Sequence, residues 1–331
     1  MRTHISFIIP TPPGGKPVRC LDSLMNLRYP HESIEVLVVE GRSPPSQRNL
    51  AAKKAQGSIL YFIDDDVVVE PDIITGILAH FDKGDVAIVG GPCLTPECEP
   101  IIARSCSHAL ASFIGAGPMR YRYKSIGGPR EADETNLIMC NVSCKRDVYL
   151  EEGGLRQDLF PNEENEFFNR LAKKGYKLVY NPEVRVYHPV APTYARISRK
   201  IFGYGVGRVE QIFVQPSCFR LLFVLPTAFV IYILSLLIFS AYMTPFHLLP
   251  LILYVITTGL ESIKVAVRLK EPRVFPTMWL SYPVIHLSYG LGFAFGFLKL
   301  LVGRYGKNSD SEVFIRKASI LASDAPRSGD R

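Results

Sequence analysis

The sequence predicts an α/β domain built on a mostly parallel sheet, followed by helices that enter a membrane. Three observations predict it. Short apolar runs alternate with helix-patterned segments through the first part of the chain. Polar residues collect directly after those runs, where open α/β sheets gather their ligands. Forty residues from Leu221 to Leu260, and twenty-five more from Val274 to Leu298, contain no Asp, Glu, Lys or Arg. A helix needs roughly 20 apolar residues to cross a hydrocarbon core.

The elements follow in order. Ser6 to Ile9 is an apolar run stopped by Pro10, and Val18, Leu21, Leu24 and Met25 recur at helical spacing. Ile34 to Val39 is a second strand run, and Arg48 to Gln56 reads as a helix ended by Gly57. Ile59 to Ile63 is a third strand, followed at once by Asp64, Asp65 and Asp66. Pro71 opens a helix through Phe81, and Val86 to Val89 is a fourth strand before Gly90-Gly91-Pro92. Strands alternating with helices argue for a layered α/β fold. Pro118 to Glu134 has no clear period and reads as a mobile loop. Asn162 to Gly175 is the best helix pattern, with Asn162 placed to cap it, Phe167, Phe168 and Leu171 as its apolar stripe, and Gly175 as its stop. Lys177–Tyr180 and Val184–Tyr187 read as short strands.

The chain of 331 residues has room for about two ordinary domains. We divide it into a catalytic unit at 1–218, a membrane unit at 219–302 and a polar tail at 303–331, with helices near 221–242, 246–267 and 276–301. A disordered chain, a fibrous one and a simple soluble enzyme are excluded. The net charge of +7 does not indicate nucleic acid. Arg199, Lys200, Arg208, Arg220, Arg268, Lys270 and Arg273 flank the apolar blocks, where the positive-inside rule and anionic lipid headgroups account for them. The seven cysteines form no CxxC pair and no zinc pattern. The first residues run into a strand pattern with no signal-peptide signature. A catalytic face on the cytoplasmic side of the plasma membrane is expected.

Chemistry concentrates in three places. Three carboxylates directly after a buried strand repel one another unless a cation joins them. Hard oxygen donors suit Mg²⁺ or Mn²⁺, which bridge to substrate phosphates; the competing reading is a solvated acidic turn. Glu163 and Glu164 stand at a helix start, where the positive helix end keeps a carboxylate ionised, as a general base at neutral pH must be. His188 ends a strand, where an imidazole meets metal or phosphate. Two glycine features carry less. Pro12-Pro13-Gly14-Gly15-Lys16 lacks Walker spacing. Gly203-Tyr204-Gly205-Val206-Gly207-Arg208 follows no strand, so it reads as a flexible basic segment at the bilayer, with Arg208 available to a diphosphate.

In their order these pieces resemble the family 2 glycosyltransferases of GT-A fold, particularly membrane-anchored enzymes of the succinoglycan type. The resemblance runs from about Ser6 to Arg208 and rests on Phe7-Ile8-Ile9-Pro10-Thr11, Cys20-Leu21-Asp22-Ser23-Leu24, Val38-Val39-Glu40-Gly41, Arg48-Asn49, Phe62-Ile63-Asp64-Asp65-Asp66, Gly90-Gly91-Pro92, Cys140-Asn141, Gly153-Gly154-Leu155, Pro161 to Glu166, and Tyr187-His188. It implies a Rossmann-like nucleotide-diphospho-sugar domain and an inverting transfer to a membrane-associated, polyprenyl-linked acceptor. It also implies roles. Thr11, Glu40 and Arg48 would hold the donor's nucleoside, Asp64 and Asp65 would lie along it, and Asp66 with Asp64 and His188 would serve the metal. The base would be Glu164, with Glu163 as the alternative, since Glu stands where an aspartate is usual. Asn141 and Gly91 would lie in the acceptor or sugar region.

The family's processive synthases carry Gln-x-x-Arg-Trp. The single tryptophan here is Trp279, inside an apolar block, so one sugar per encounter is expected and polymer synthesis is the alternative. An inactive scaffold or a transport protein with a nucleotide-binding domain is a further alternative; few charges fall in the apolar blocks, and they trace no pathway. Thr244-Pro245 reads as the turn of a helical hairpin, and Glu261 and Lys264 as a pair one turn apart. The third block either spans or is bent and re-entrant at Pro283. If it spans, a tail bearing Arg304, Lys307, Arg316 and Lys317 ends outside, against the positive-inside rule.

Overall fold

Runs of Ile, Val and Phe that cannot stay in water build the sheet. The computed structural model describes residues 4–14, 18–239, 241, 244–303 and 314–318. Gly15 and Lys16 of the glycine turn, and Arg304 and Lys307 of the tail, lie outside the described residues. The chain runs β1 (Ile5–Thr11), α1 (Cys20–Leu24), β2 (Ile34–Glu40), α2 (Pro44–Lys54), β3 (Ile59–Ile63), β4 (Val68–Val69), α3 (Ile73–Phe81), β5 (Val86–Gly90) and β6 (Cys93–Leu94). There follow α4 (Ile101–Leu110), α5 (Phe113–Ala116), β7 (Arg130–Glu131), β8 (Asn141–Lys145), α6 (Arg146–Glu151), α7 (Glu163–Lys173), β9 (Lys177–Tyr180) and β10 (Val186–Tyr187). Then come α8 (Tyr194–Val214), α9 (Leu225–Ile238), α10 (Leu249–Leu269), α11 (Val274–Leu301) and β11 (Phe314–Ala318).

The main sheet has the order β11-β2-β1-β3-β8-β5-β9-β7. β1 is parallel to β2 and β3, and β5 to β9, but β8 runs antiparallel between β3 and β5. The α/β sheet of the expected class thus has parallel pairings at β2-β1-β3 and β5-β9, with β8 inserted antiparallel. β8 escaped the sequence because Asn141 and Ser143 alternate with its apolar residues, although all five positions but Lys145 are buried. Side chains alternate across the sheet. Phe7, Ile9 and Tyr61 face α1 and α3, while Ile8, Leu60 and Phe62 face α2, α6 and α7. Phe167 and Phe168 anchor α7 there, each burial contributing about 1.5–3 kcal/mol, so the first turn of α7 is rigidly placed. A second sheet, β4-β10-β6, holds the end of β10 against the site.

Two expectations about the loops change. The segment expected as a mobile loop carries a short 3-10 helix, Gly117–Arg122, and β7, and the guanidinium of buried Arg122 donates to Thr135 O, Glu134 O and Asn165 Oδ1. Asn162 precedes α7 but does not cap it; its side chain donates to Tyr204 O at 3.3 Å and accepts from Asn165 at 2.6 Å.

The segment expected to be flexible is the interior of α8. Its glycines permit close approach in two directions. A side chain on Gly205 would meet the backbone of α11 at Tyr289 and Phe293, and one on Gly207 would meet Pro161 O and Asn162 beneath α7. α8 is wedged between the start of α7 and α11, and runs parallel to α11: Ser198 meets Ser288 at 2.7 Å and Glu210 meets Lys299 at 2.5 Å. Gly292 and Gly296 supply the matching close faces against Phe202 and Val206, a small-residue spacing suited to tight helix pairs.

Among the described residues two helices are long and apolar enough to cross a membrane, Pro245–Leu269 and Val274–Leu301. The helix expected near 221–242 is shorter: 3-10 turns precede α9, which has 14 residues. α11 is continuous through Pro283, with no re-entrant turn. Glu261 and Lys264 pair at 3.5 Å. Within the expected tail, Phe314–Ala318 pairs antiparallel with β2.

Candidate active site

The carboxyl end of β3 delivers Asp64, Asp65 and Asp66 to the rim of a cavity of about 870 Å³. Thr11 at the end of β1, Gly41 and Arg42 after β2, Arg48 and Gln47 from α2, Glu163 and Glu164 at the start of α7, and His188 after β10 share its wall. Each is positioned by an element whose core packing is described above.

Arg48 is the central tie. It is buried, and its Nη2 donates to Asp64 Oδ1 at 3.0 Å while Nη1 donates to Glu163 Oε1 at 3.1 Å. Burial disfavours its charge, but Asp64, Glu163 and Glu164 outweigh that and raise its pKa. Glu163 is equally buried. Burial first, and the neighbouring Glu164 charge second, push its carboxyl well above the usual carboxylate range against the pull of Arg48. The helix end therefore does not keep both glutamates equivalent. Glu164, next along the helix, is half-buried and faces open cavity.

His188 closes the other side. Its backbone N–H is held by Leu94 O at 2.8 Å, and its Nε2 lies 3.1 Å from Asp66 Oδ1 and 3.8 Å from Asp64 Oδ2. Burial opposes an imidazolium, but the hydrogen bond to Asp66 and the nearby charges push the ring up to about 9. Asp66 is lowered in return, since His188 outweighs the burial that would raise it. Asp65 is raised by burial and by its two neighbours.

Among the described residues no three His, Cys, Asp or Glu side chains form a ready-made metal cage. The donor set fits a different kind of ion. Asp64 and Asp66 present two hard carboxylates at the cavity rim, and an ion held by one or two carboxylates takes its remaining ligands from substrate phosphates and water.

Several expected residues fall elsewhere. Glu40 ends β2 opposite Thr11, adjacent to the lining residue Gly41. Asn141 is held in the scaffold: it accepts from Tyr61 Oη at 2.7 Å and donates to Pro92 O at 2.9 Å and Val184 O at 2.7 Å. Gly91 is required by packing, since a Cβ there would collide with Val184 O and Asn181 O. Arg208 is absent from this cavity's wall. It lines a second, apolar cavity of about 360 Å³ between the catalytic unit and α9, α10 and α11. Lys200, Arg199 and Tyr204 of α8 do line the first cavity. The charges of Lys200 and Arg199, assigned from sequence to lipid, thus stand in the cavity wall, and the glycine-interrupted helical run was the signal available for them. The two cavities share Leu110, Tyr123, Ile138, Ile201, Tyr204 and Glu164.

Residues 42–145 match the family model described as Glycosyl transferase family 2. The chain is 21% identical over 336 residues, covering 90% of this chain and 97% of the relative, to a dolichyl N-acetyl-alpha-D-glucosaminyl phosphate 3-beta-D-2,3-diacetamido-2,3-dideoxy-beta-D-glucuronosyltransferase of Methanococcus voltae. It is 24% identical over 194 residues, 54% of this chain and 59% of the relative, to a glucosyl-dolichyl phosphate glucuronosyltransferase of Haloferax volcanii. Its fold matches that of a mannosyltransferase from Pyrobaculum calidifontis solved with GDP-Man and Mn²⁺, at a TM-score of 0.60 and 15% identity over 92% of this chain and 88% of that one. No relative of succinoglycan type is among these matches.

Proposed function

We propose that this chain, whose residues 42–145 match the glycosyl transferase family 2 model, moves a sugar from a nucleotide-diphosphate donor to a hydroxyl of a polyprenyl-phosphate-linked saccharide, with inversion at the anomeric carbon. The observation that carries the reading is the position of Glu164. It stands in the wall of both cavities, one lined by the aspartates after β3 together with Arg48, Arg199 and Lys200, the other apolar and facing the membrane helices. A base at that junction touches donor and acceptor together. The two relatives act, by name, on dolichyl-phosphate-linked sugars, which agrees with an apolar acceptor side.

The donor occupies the larger cavity, its nucleoside toward Thr11, Gly41 and Arg48 and its diphosphate toward Asp64 and Asp66. A divalent ion, Mg²⁺ or Mn²⁺, would be held by Asp66 and Asp64 beside His188, and would neutralise the diphosphate as it leaves. Glu164 accepts the proton of the acceptor hydroxyl. The hydroxyl oxygen forms its bond to the anomeric carbon on the face opposite the diphosphate, and the anomeric carbon–oxygen bond breaks toward the phosphate. Glu163, bound to Arg48, positions α7 and takes no part in the proton transfer. Lys200 and Arg199 add positive charge to the wall where phosphates collect.

The membrane helices bring the site to the plane in which such an acceptor diffuses. The test is nucleotide release from a panel of UDP-, GDP- and dTDP-sugars by detergent-purified protein, with a short polyprenyl-phosphate-linked saccharide, in Mn²⁺, Mg²⁺ or EDTA. Release from one donor that requires acceptor, and is lost in Asp66→Asn and Glu164→Gln, is expected. Release unaffected by either substitution would overturn the reading.

A further inference from the structure

The second cavity holds a charge that no carboxylate among the described residues balances. Arg208 is 2% exposed and lies in the cavity wall. Its Nη1 donates to the neutral Gln211 Oε1 at 2.6 Å, its plane lies 4.3 Å from the Phe223 ring centre, and its Nε has no partner. Among the described residues no carboxylate pairs with it. A guanidinium removed from water without a counter-charge is strongly disfavoured, so this one is built to meet an anion that arrives from outside. The only other arginine in the wall, Arg122, spends its donors on carbonyl and amide oxygens, which leaves its charge equally unneutralised. Glu164 is the one acid in the lining.

The walls say what carries the anion. Phe223, Phe229, Ile285 and Leu222 make the cavity apolar and open it toward α9 and α11. An anionic group at one end and a greasy chain at the other is the chemistry of a polyprenyl phosphate.

Resting on the transferase reading above, we propose that this cavity seats the acceptor, with Arg208 as the anchor of its phosphate and Phe223 and Phe229 against the first isoprene units. The saccharide then extends past Tyr123 and Tyr204, which line both cavities, to present its hydroxyl to Glu164. Arg208 is a binding residue for acceptor and has no contact with the donor.

The test uses full-length protein in detergent, titrated with farnesyl phosphate, farnesol and inorganic phosphate, as wild type and as Arg208→Met and Arg208→Lys. Wild type is expected to bind farnesyl phosphate better than farnesol or phosphate alone. Arg208→Met should bind it roughly 10- to 100-fold more weakly, the loss of charge-assisted hydrogen bonds, with an equal rise in KM for the lipid-linked acceptor and unchanged donor binding. Arg208→Lys should recover part of the loss. Because the replaced charge is buried and unpaired, Arg208→Met should not lower the melting temperature, whereas a merely structural arginine would. Equal farnesyl phosphate binding by wild type and Arg208→Met overturns the proposal, and so does a loss of donor binding in Arg208→Met. Failure of wild type to bind any nucleotide sugar would instead overturn the transferase reading and leave the lipid titration to stand or fall alone.

Discussion

Arg48 reaches Glu163 Oε1 at 3.1 Å from one nitrogen and Asp64 Oδ1 at 3.0 Å from the other, so a single guanidinium joins the start of α7 to the end of β3. The tie separates two adjacent glutamates that the sequence cannot rank. Glu163 is held and buried, while Glu164 faces both cavities.

The first prediction follows from that difference. Glu164→Gln should lower transfer by about 10²- to 10⁴-fold, the usual range for a general base, with donor affinity unchanged. Glu163→Gln should keep activity within about tenfold, because an amide oxygen still accepts from Arg48, but should lower the melting temperature. Steady-state kinetics and thermal unfolding of both variants check this, and a larger kinetic loss in Glu163→Gln would reverse the assignment.

Metal removal gives the second. If Asp66 carries the ion, EDTA and Asp66→Asn act on one interaction and their effects should not add. Each should reduce nucleotide release by about a hundredfold or more, given the several kcal/mol such an ion supplies. In Asp66→Asn, EDTA should then change little. Additive losses would place the ion elsewhere.

How much of this could be read without coordinates depends on where each signal lives. The strand runs and the acidic ends of β3 and α7 are local patterns, and they mark the sheet and the polar cavity directly. β8 is not local in that sense: Asn141 and Ser143 are buried polar groups whose partners come from residues 49 and 54 positions away. Gly205 and Gly207 look like a flexible run because nothing nearby in sequence shows α11 on one side and Pro161 on the other. Arg208 and Lys200 carry the same basic signal, and only the packing of α8 sends one to the apolar cavity and the other to the polar one.

A pH dependence follows from Asp133. Its carboxyl accepts from Thr135 N at 2.7 Å and from Arg220 Nη2 at 3.0 Å. Although burial opposes ionisation, Thr135 and Arg220 outweigh it and hold the pKa below the ordinary 3.8. A depressed folded value stabilises the protein fully above 3.8 and loses that contribution as pH falls through the lower folded value. The melting temperature of wild type should therefore exceed that of Asp133→Asn at neutral pH, with the gap closing only below pH 3.8. A gap that persists undiminished at lower pH would show that the carboxylate's charge is not its source.

The last prediction concerns which way α11 lies. At its start, Glu271 takes Arg104 of α4 in two contacts of 2.8 Å, and Thr277 meets Ser105 at 2.6 Å. At its end, Lys299 meets Glu210 of α8 at 2.5 Å. α4 and α8 share one apolar cluster with α11, and beyond α11 the strand Phe314–Ala318 adds to the edge of the main sheet at β2. We expect that a helix held at both ends in this way does not carry its chain across a bilayer. Its apolar outer face, with Leu291, Phe295 and Leu298 exposed, suits burial along the membrane interface instead. A C-terminal tag should then share the accessibility of the catalytic domain in sealed vesicles of either orientation. That arrangement leaves Arg316 and Lys317 on the catalytic side, so the conflict with the positive-inside rule does not arise. Protection of the tag where the catalytic domain is digested would show that α11 spans the bilayer.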